Sequence, residues 1–386
     1  MTLIESRLQT LLNEKKEQAN WRELKNTGSV RPQEIILNGN KLINFASNDY
    51  LGLSQHPLLK ERAIKAIEKY GVGNPSSRLI AGNCELYEQI ELTLAHLKGT
   101  EAALIFPTGF QTNVTVLNAL SKLDSFFFCD KLCHNSILLG LQINKRQSVR
   151  FAHNDLLDLQ RLLLEKQKTN TIVVTESVFS MDGDLAPVDD LLALTSKLNI
   201  HLYIDEAHAT GVFGKNGMGL VNNPTAKTII MGTFSKGGGS LGAYIACSEE
   251  IKNYLVNYCA GIIYSTALPP PVLASIQAAL DLIPDMDIQR KTLLQQSAFL
   301  REELLKIGFN LGSSNSHIIS LLIGDNKSAL SLSRHLENNK IYAPAIRPPT
   351  VPENTARIRL SLTALHSNLD IEHLLTVLKE WYVSQH

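Results

Sequence analysis

The stretch TIIMGTFSKGGGSLGAYIACS, residues 228–248, places one lysine at the end of an apolar run. This residue, Lys236, follows Thr233 and Ser235 and comes directly before a run of glycines. A lysine normally keeps its charge in water, so a place at the edge of a buried strand is unusual. Glycines beside it let a ligand or another stretch of backbone come close. The stretch fits a solvated turn, a phosphate-binding loop or a lysine that takes part in chemistry.

Strand-like runs alternate with helix-like segments on the amino-terminal side of this stretch, from about residue 100 onward. The segments between the runs have a helical period, as in DLLDLQRLLLEKQK (155–168) and VDDLLALTSKLN (188–199). This alternation predicts an α/β fold in which helices cover both faces of a mainly parallel sheet. The predicted strands are AALIF (102–106), SFFFCD (125–130), SVRFA (148–152), TIVVTES (171–177), IHLYIDEA (200–207) and TIIMGT (228–233).

The pattern changes near residue 280. A long amphipathic helix is predicted for residues 286–308, followed by strands at HIISLLIG (317–324) and ARIRLSL (356–362). We therefore predict three parts: an N-terminal helical segment and arm over 1–45, a large domain over 46–280, and a smaller α+β domain over 281–386.

Composition narrows the classes of function. Lys plus Arg and Asp plus Glu both number 37, which argues against nucleic acid or an anionic membrane as the main partner. Five cysteines without disulfide spacing fit a reducing compartment. No run approaches the ~20 apolar residues that span a bilayer, and charges interrupt the first 25 residues. We predict a cytoplasmic protein.

Polar residues follow the predicted strands, at the edge where ligands of open parallel sheets gather. Thr108 and Gly109 follow AALIF and precede a helical period, which fits a phosphate-binding turn or an ordinary strand-to-helix turn. His134 opens the segment after SFFFCD, as a capping, packing or catalytic residue. Asp205 ends a hydrophobic strand, where a carboxylate is costly unless it meets a cation, and His208 follows it.

Three familiar motifs fail in this context. DEAH (205–208) would be the acidic box of an ATPase, but the chain has no phosphate-binding loop of that class upstream. GGGSLG (237–242) has dinucleotide-loop spacing, yet it precedes the strand-like AYIAC and not a helix. Cys129, Cys133 and His134 lack a second pair at zinc-like spacing, so we predict no metal.

One cofactor, pyridoxal phosphate, would use the carboxylate, the histidines, the turn and the lysine together. The Lys236 amine would bond to the aldehyde, Asp205 would keep the ring nitrogen protonated, and the turn would hold the phosphate. At ~4 Å and an effective dielectric of ~20, opposite charges interact by about 4 kcal/mol. A helix terminus contributes ~0.3–1 kcal/mol. We therefore expect Asp205 to dominate the electronics of the ring.

The chain resembles the α-oxoamine synthase family of fold-type I pyridoxal-phosphate enzymes from about residue 20 to its end. The resemblance implies a fold-type I transferase, with a large mainly parallel-sheet domain sandwiched by helices and a smaller C-terminal α+β domain. The motifs that carry it are NFASNDYLGLS (44–54), SSRLIAG (76–82), FPTGFQTN (106–113), ESVFSMDGDLAP (176–187), DEAHATGVFG (205–214), GTFSKGGG (232–239), IYSTALPPP (263–271) and IRPPTVPENTARIRLSLTALH (346–366).

The resemblance also implies roles for individual residues. Lys236 would bond to the cofactor aldehyde, and His134 would stack on the pyridine ring and contact substrate. Asp205 would pair with the ring nitrogen, and His208 with the phenolic oxygen. The further predicted cofactor contacts are Thr108, Gly109, Phe110, Glu176, Ser180, Thr233, Ser235, Ser265 and Thr266.

The predicted substrate contacts lie elsewhere in the chain. Asn48 and Arg359 match positions that hold the amino-acid substrate, and Arg22 and Thr350 match positions for the acyl substrate. Ser265 or Thr266 matches the place from which a partner subunit reaches the phosphate, so a homodimer is implied.

The implied reaction is the decarboxylative condensation of an amino acid with an acyl thioester. The IRPPTVP motif favours the member that joins L-alanine to a pimeloyl thioester, carried on CoA or on an acyl carrier protein, in biotin biosynthesis. A relative that uses glycine and acetyl-CoA is the alternative within the family, since one methyl group in a pocket is worth about 1–3 kcal/mol. A non-catalytic scaffold subunit is the alternative outside it.

Overall fold

The computed structural model describes residues 2–28, 31–143, 148–166 and 168–385. The helices are α1 (Leu3–Glu17), α2 (Pro57–Tyr70), α3 (Glu85–Lys98), α4 (Gly109–Ser121), α5 (Asn135–Gln142), α6 (Leu156–Lys166), α7 (Val188–Lys197), α8 (Glu249–Tyr258), α9 (Ala260–Ile263), α10 (Pro270–Leu282), α11 (Asp287–Ile307), α12 (Asn326–Asn338) and α13 (Asn368–Gln385). The strands are β1 (Glu34–Leu37), β2 (Asn40–Asn44), β3 (Ala102–Phe106), β4 (Phe126–Asp130), β5 (Ser148–Phe151), β6 (Thr171–Glu176), β7 (His201–Asp205), β8 (Thr228–Thr233), β9 (Ala243–Cys247), β10 (Ile318–Gly324), β11 (Ile341–Tyr342), β12 (Ala345–Ile346) and β13 (Ala356–Ser361).

A seven-stranded sheet, in the order β3-β9-β8-β7-β6-β4-β5, organises the larger compact unit, residues 49–180 and 185–291. The five strands β8, β7, β6, β4 and β5 run parallel to one another, whereas β9 is antiparallel to both of its neighbours, β8 and β3. The six predicted strands are all present, with ends that agree to within two residues. The predicted α/β fold with a mainly parallel sheet is confirmed.

Side chains that alternate along the strands enter two separate cores, one on each face of the sheet. On one face, Phe128 and Ile204 pack with apolar residues of α3, α6, α7 and α10. On the other, Phe127 and Tyr203 pack with α4, α5, α8 and α9. Because both faces are covered, these strands are continuous apolar runs without a polar side.

The second compact unit comprises residues 1–48, 181–184 and 292–386. It contains two three-stranded sheets, β10-β13-β12 and β1-β2-β11. The predicted strands HIISLLIG and ARIRLSL are confirmed as β10 and β13, which pair antiparallel. In the other sheet, β11 pairs parallel with β2, which joins the N-terminal residues to the C-terminal part of the same unit. Within the described residues, no helix is both long and apolar enough to cross a membrane.

Candidate active site

Two carboxylates meet at the carboxyl edge of the seven-stranded sheet. Glu176 ends β6 and Asp205 ends β7, and the two residues pair across these parallel strands. Both are buried, at 3% and 5% exposure. Two acidic side chains so close together, out of water, need hydrogen-bond donors or a cation to remain there.

Asp205 is held by an amide side chain from α4. Asn113 Nδ2 donates to Asp205 Oδ2 at 2.8 Å, and the Ala207 N–H donates to Asp205 Oδ1 at 2.9 Å. Asn113 is itself fixed, because the Tyr203 hydroxyl donates to its Oδ1 at 2.7 Å. These bonds fix the position and orientation of the carboxylate. Asn113 closes the FPTGFQTN motif, but the sequence analysis gave it no role.

Glu176 differs from Asp205 in its surroundings. Burial raises the pKa of Glu176 well above its usual value, and the nearby charge of Asp205 raises it further. The backbone N–H of His134 donates to Glu176 Oε1 and opposes this shift. These surroundings disfavour the charged form of Glu176. Asp205, in contrast, accepts one hydrogen bond at each carboxylate oxygen.

His134 caps the N-terminus of α5 and continues the same hydrogen-bond chain. Its Nδ1 accepts the N–H of Ser136 at 3.3 Å and lies 2.8 Å from Ser136 Oγ, which in turn accepts from Asn113 at 3.0 Å. Burial lowers the pKa of His134, Asp205 opposes this, and Lys236 lowers the pKa further. The imidazole is therefore neutral at neutral pH, with Nδ1 as acceptor. A neutral ring suits stacking on an aromatic ligand.

His208 lies three residues beyond Asp205 and is buried. Its Nδ1 is 2.5 Å from the hydroxyl of Tyr50. This contact holds the imidazole in one orientation. Tyr50 belongs to the NFASNDYLGLS motif, and it is a second residue near the site that the sequence analysis did not single out.

The turn before α4 forms an anion-binding surface. Thr108 caps the helix, its hydroxyl accepting the Gln111 N–H at 3.2 Å, so the N–H groups of Gly109 and Phe110 lie in the unpaired first turn. A Cβ on Gly109 would lie 2.5 Å from Thr233 Cγ2, so only glycine lets the turn approach β8 this closely. Such helix starts bind phosphate.

Thr233, at the end of β8, offers a direct test of the predicted cofactor. Its hydroxyl oxygen is buried and has no hydrogen-bond partner among the described residues. A buried hydroxyl without a partner costs free energy, so it is suited to a polar ligand group at this position. A phosphate held between the α4 turn and this hydroxyl meets that need, and the residues present fit pyridoxal phosphate.

Lys236 follows this strand end on a tightly packed turn, with the side chain of Ser235 exposed beside it. A Cβ on Gly237 would overlap the carbonyl oxygen of Thr210, so the turn lies directly against the segment after His208. The charge of Lys236 lowers the pKa of both His134 and Glu176. Lys236 is therefore close enough to both groups to affect their charge.

Three other predicted cofactor contacts occupy less buried positions in the same unit. Ser180 is half-buried after β6. Ser265 is half-buried and Thr266 is exposed, and Thr266 forms a backbone bridge with Ser77. The neighbouring Tyr264 is 84% exposed.

The predicted substrate residues make two long-range hydrogen bonds in the second compact unit, Arg359 with Asn48 and Arg22 with Pro348. Arg359 lies on β13, 8% exposed, and its Nη2 donates to Asn48 Oδ1 at 3.1 Å. Arg22 Nη2 donates to the carbonyl of Pro348 at 2.9 Å, and the exposed Thr350 follows two residues later. The sequence separation within each pair exceeds 300 residues, so the fold and not the local sequence creates them.

Comparison with known proteins shows the family and the fold to which the chain is similar. A family model described as aminotransferase class I and II matches residues 40–378. A relative from Desulfosudis oleivorans, named putative 8-amino-7-oxononanoate synthase, is 48% identical over 90% of this chain and 91% of its own length. A high-resolution structure of SPT with PLP aligns with a TM-score of 0.92 and 26% identity, over 100% of this chain and 99% of the other. The crystal structure of 8-amino-7-oxononanoate synthase from Francisella tularensis aligns with a TM-score of 0.77 and 27% identity, over 89% of this chain and 98% of the other.

Proposed function

The chain belongs to the aminotransferase class I and II family, and we propose that it makes 8-amino-7-oxononanoate for biotin biosynthesis. In this reaction L-alanine condenses with a pimeloyl thioester, the thiol leaves, and the alanine carboxyl group is lost as carbon dioxide. The observation that carries the proposal is 48% identity, over nine-tenths of the chain, to a relative named for this activity.

Pyridoxal phosphate is the cofactor of this enzyme. When bound, it supplies an aromatic ring that accepts an electron pair from the α-carbon of an amino acid. The Lys236 amine would hold the aldehyde, and the α4 turn with the Thr233 hydroxyl would hold the phosphate. The unpartnered Thr233 oxygen and the close approach of Gly109 support this assignment. Phe110, Glu176, Ser180 and Ser235 complete the proposed cofactor contacts.

Each polar group at the sheet edge has a distinct task. Asp205, oriented by Asn113, would hold a proton on the ring nitrogen. His208, oriented by Tyr50, would donate to the phenolic oxygen, and His134 would pack on the ring face. The Lys236 amine removes the α-proton of alanine and later returns a proton to the product carbon. Burial of Asp205 and His208 strengthens the charge interactions that they make.

Substrate binding is assigned to the two pairs of the second unit. Arg359 binds the alanine carboxylate, and its bond to Asn48 supports a fixed guanidinium. Arg22 and Thr350 contact the acyl substrate. CoA and an acyl carrier protein both fit as the carrier.

The proposed active unit is a homodimer, in which Ser265 or Thr266 of one subunit reaches the phosphate of the other. Large exposed apolar side chains near this segment support it, among them Tyr264 at 84% and Ile80 at 82% exposure. Light scattering should give about twice the chain mass of 42.7 kDa. A mass equal to the single chain in the active enzyme would overturn this part of the proposal.

Thiol release measures the proposed reaction most simply. The holoenzyme should release thiol fastest with L-alanine and a pimeloyl thioester, tested on CoA and on acyl carrier protein. If glycine reacted faster with acetyl-CoA, the enzyme would be a 2-amino-3-ketobutyrate CoA ligase. If no combination of amino acid and thioester reacted, the chain would be a non-catalytic scaffold subunit. As a matched variant, Arg359→Lys loses the bidentate fork and should raise KM for alanine about tenfold, with KM for the thioester unchanged.

A further inference from the structure

A buried ion pair lies in the larger unit, and one of its members is next in sequence to Asp205 of the proposed active site. Lys98, the last residue of α3, places its Nζ 2.8 Å from Glu206 Oε2, and the two side chains are 1% and 0% exposed. Glu206 directly follows Asp205. None of the roles assigned above uses this pair.

The hydrogen bonds of the pair are well satisfied. Glu206 Oε1 accepts the N–H groups of Leu220 at 2.6 Å and Val221 at 2.9 Å, while Lys98 also donates to the carbonyl of Met218. Burial alone would lower the pKa of Lys98, but Glu206 and Tyr244 outweigh it and hold this pKa above its usual value. Buried ion pairs are often no more stabilising than apolar residues of similar volume, and some serve to specify one geometry.

The Lys98–Glu206 pair contacts Tyr244 on β9, the strand that follows the turn bearing Lys236. Lys98 Nζ lies 5.3 Å from the centre of the Tyr244 ring on β9. The Tyr244 hydroxyl lies 2.8 Å from Thr210 Oγ1, and Thr210 also donates to the Glu206 carbonyl at 3.1 Å. A Cβ on Gly232 would overlap the Tyr244 hydroxyl, so a glycine at this position of β8 leaves the space that the hydroxyl occupies.

Thr210 in turn lies against the turn that carries the proposed catalytic lysine. The carbonyl of Thr210 occupies the space that a Cβ on Gly237 would need. Gly211, at φ +91°, adopts a conformation that favours glycine, and a Cβ there would lie 3.1 Å from Gly237 Cα. The segment 206–211 thus contains one member of the ion pair, Glu206, and packs against Gly237 through Thr210 and Gly211.

We propose that Lys98, Glu206, Tyr244 and Thr210 are positioning residues that fix the turn bearing Lys236. The proposal rests on the proposed function, because that function gives Lys236 its role. The Tyr244–Thr210 hydroxyl contact is the link that joins the ion pair to the turn. None of the four touches the substrate in this assignment, and they act through Gly237.

Tyr244→Phe tests the link with the smallest change, since it removes one hydroxyl and keeps the ring. One neutral hydrogen bond is worth about 1 kcal/mol, or roughly fivefold in an equilibrium. In cofactor-free protein, amide hydrogen exchange over residues 234–242 should rise about fivefold, with β4 and β6 unchanged. In holoenzyme, kcat should fall by a similar factor, with KM for the thioester unchanged.

Two further variants separate positioning from general stability. Tyr254→Phe is the matched control, because its hydroxyl donates to the Ala119 carbonyl at 2.8 Å on the other face of the sheet. It should leave exchange over 234–242 and kcat unchanged. Thr210→Val should reproduce the Tyr244→Phe effect, and the double variant should add nothing further.

Unchanged exchange over 234–242 in both Tyr244→Phe and Thr210→Val would overturn the proposal, whatever happens to the melting temperature. Additive effects of the two variants would overturn it as well. Because the exchange experiment uses cofactor-free protein, it stands even if the assigned reaction proves wrong. Failure of the reaction would show instead in the thiol-release assay of the wild type.

Discussion

Lys236→Ala should abolish turnover and leave the chain folded. The amine is assigned two tasks, bonding to the cofactor aldehyde and moving the α-proton, and alanine can do neither. General-base catalysis alone contributes about 10²–10⁴-fold and loss of the covalent bond adds to this, so kcat should fall by about 10⁴-fold or more. The visible absorbance of the bound cofactor should also change, because the covalent bond to the protein is lost. Steady-state thiol release and an absorbance spectrum of the purified variant measure both.

Lys227→Ala is the control for this variant. Lys227 directly precedes β8, whereas Lys236 follows its other end, and Lys227 Nζ donates to the Asn199 carbonyl at 2.8 Å. Loss of this half-buried lysine should leave kcat within about twofold. If Lys236→Ala kept normal turnover, or if both variants lost activity equally, the assignment of the catalytic lysine would be wrong.

Asp205→Asn should produce the second-largest loss. The amide keeps the size of the side chain and can still accept the Ala207 N–H, but it has no charge to hold a proton on the ring nitrogen. An opposite-charge interaction of about 4 kcal/mol corresponds to about 10³-fold, and kcat should fall by this order. The decrease should appear at saturating alanine and thioester, because the charge acts on the α-carbon step and not on substrate binding.

Asp130→Asn separates this electronic effect from the loss of a buried charge. Asp130 ends β4, is fully buried, and accepts the N–H groups of Leu132 and Asn154, both at 2.8 Å. Its substitution should lower the melting temperature and change kcat by less than about tenfold. A kcat for Asp205→Asn that matches that of Asp130→Asn would remove the reason for pairing Asp205 with the ring.

The sequence predicts the large sheet well because its strands are covered on both faces. AALIF is uniformly apolar and is followed by Pro107, and every residue of TIIMGT is buried. The polar residues at their ends then mark one edge of the sheet, since parallel strands share a direction. This is why the order of residues along the chain is enough to place Thr108, Glu176 and Asp205 at one edge of the sheet.

Partners drawn from distant segments cannot be predicted in this way. Asn113 lies one turn into α4, and only the packing of that helix on the sheet brings its amide to Asp205. Tyr50 reaches His208 across 158 positions of sequence. Both lie inside motifs that carry the family resemblance, but a motif does not say which of its residues contact each other.

The acidic DEAH stretch illustrates a further limit. Its first and last residues, Asp205 and His208, lie at the proposed active site, while Glu206 faces a buried lysine from α3. Adjacent residues at a strand end point to opposite faces, so one motif serves two environments. Periodicity indicates that the two side chains diverge, but it does not identify Lys98 as the partner.

The covalent link between Lys236 and the cofactor is the central claim, and hydride reduction tests it most directly. Borohydride treatment of the holoenzyme, followed by proteolysis and mass spectrometry, should find a reduced pyridoxal phosphate adduct on the Nζ of Lys236. Other lysines should remain unmodified, and the visible absorbance should disappear on reduction. A preparation that takes up no pyridoxal phosphate, or one whose adduct forms on a different lysine, would contradict the account.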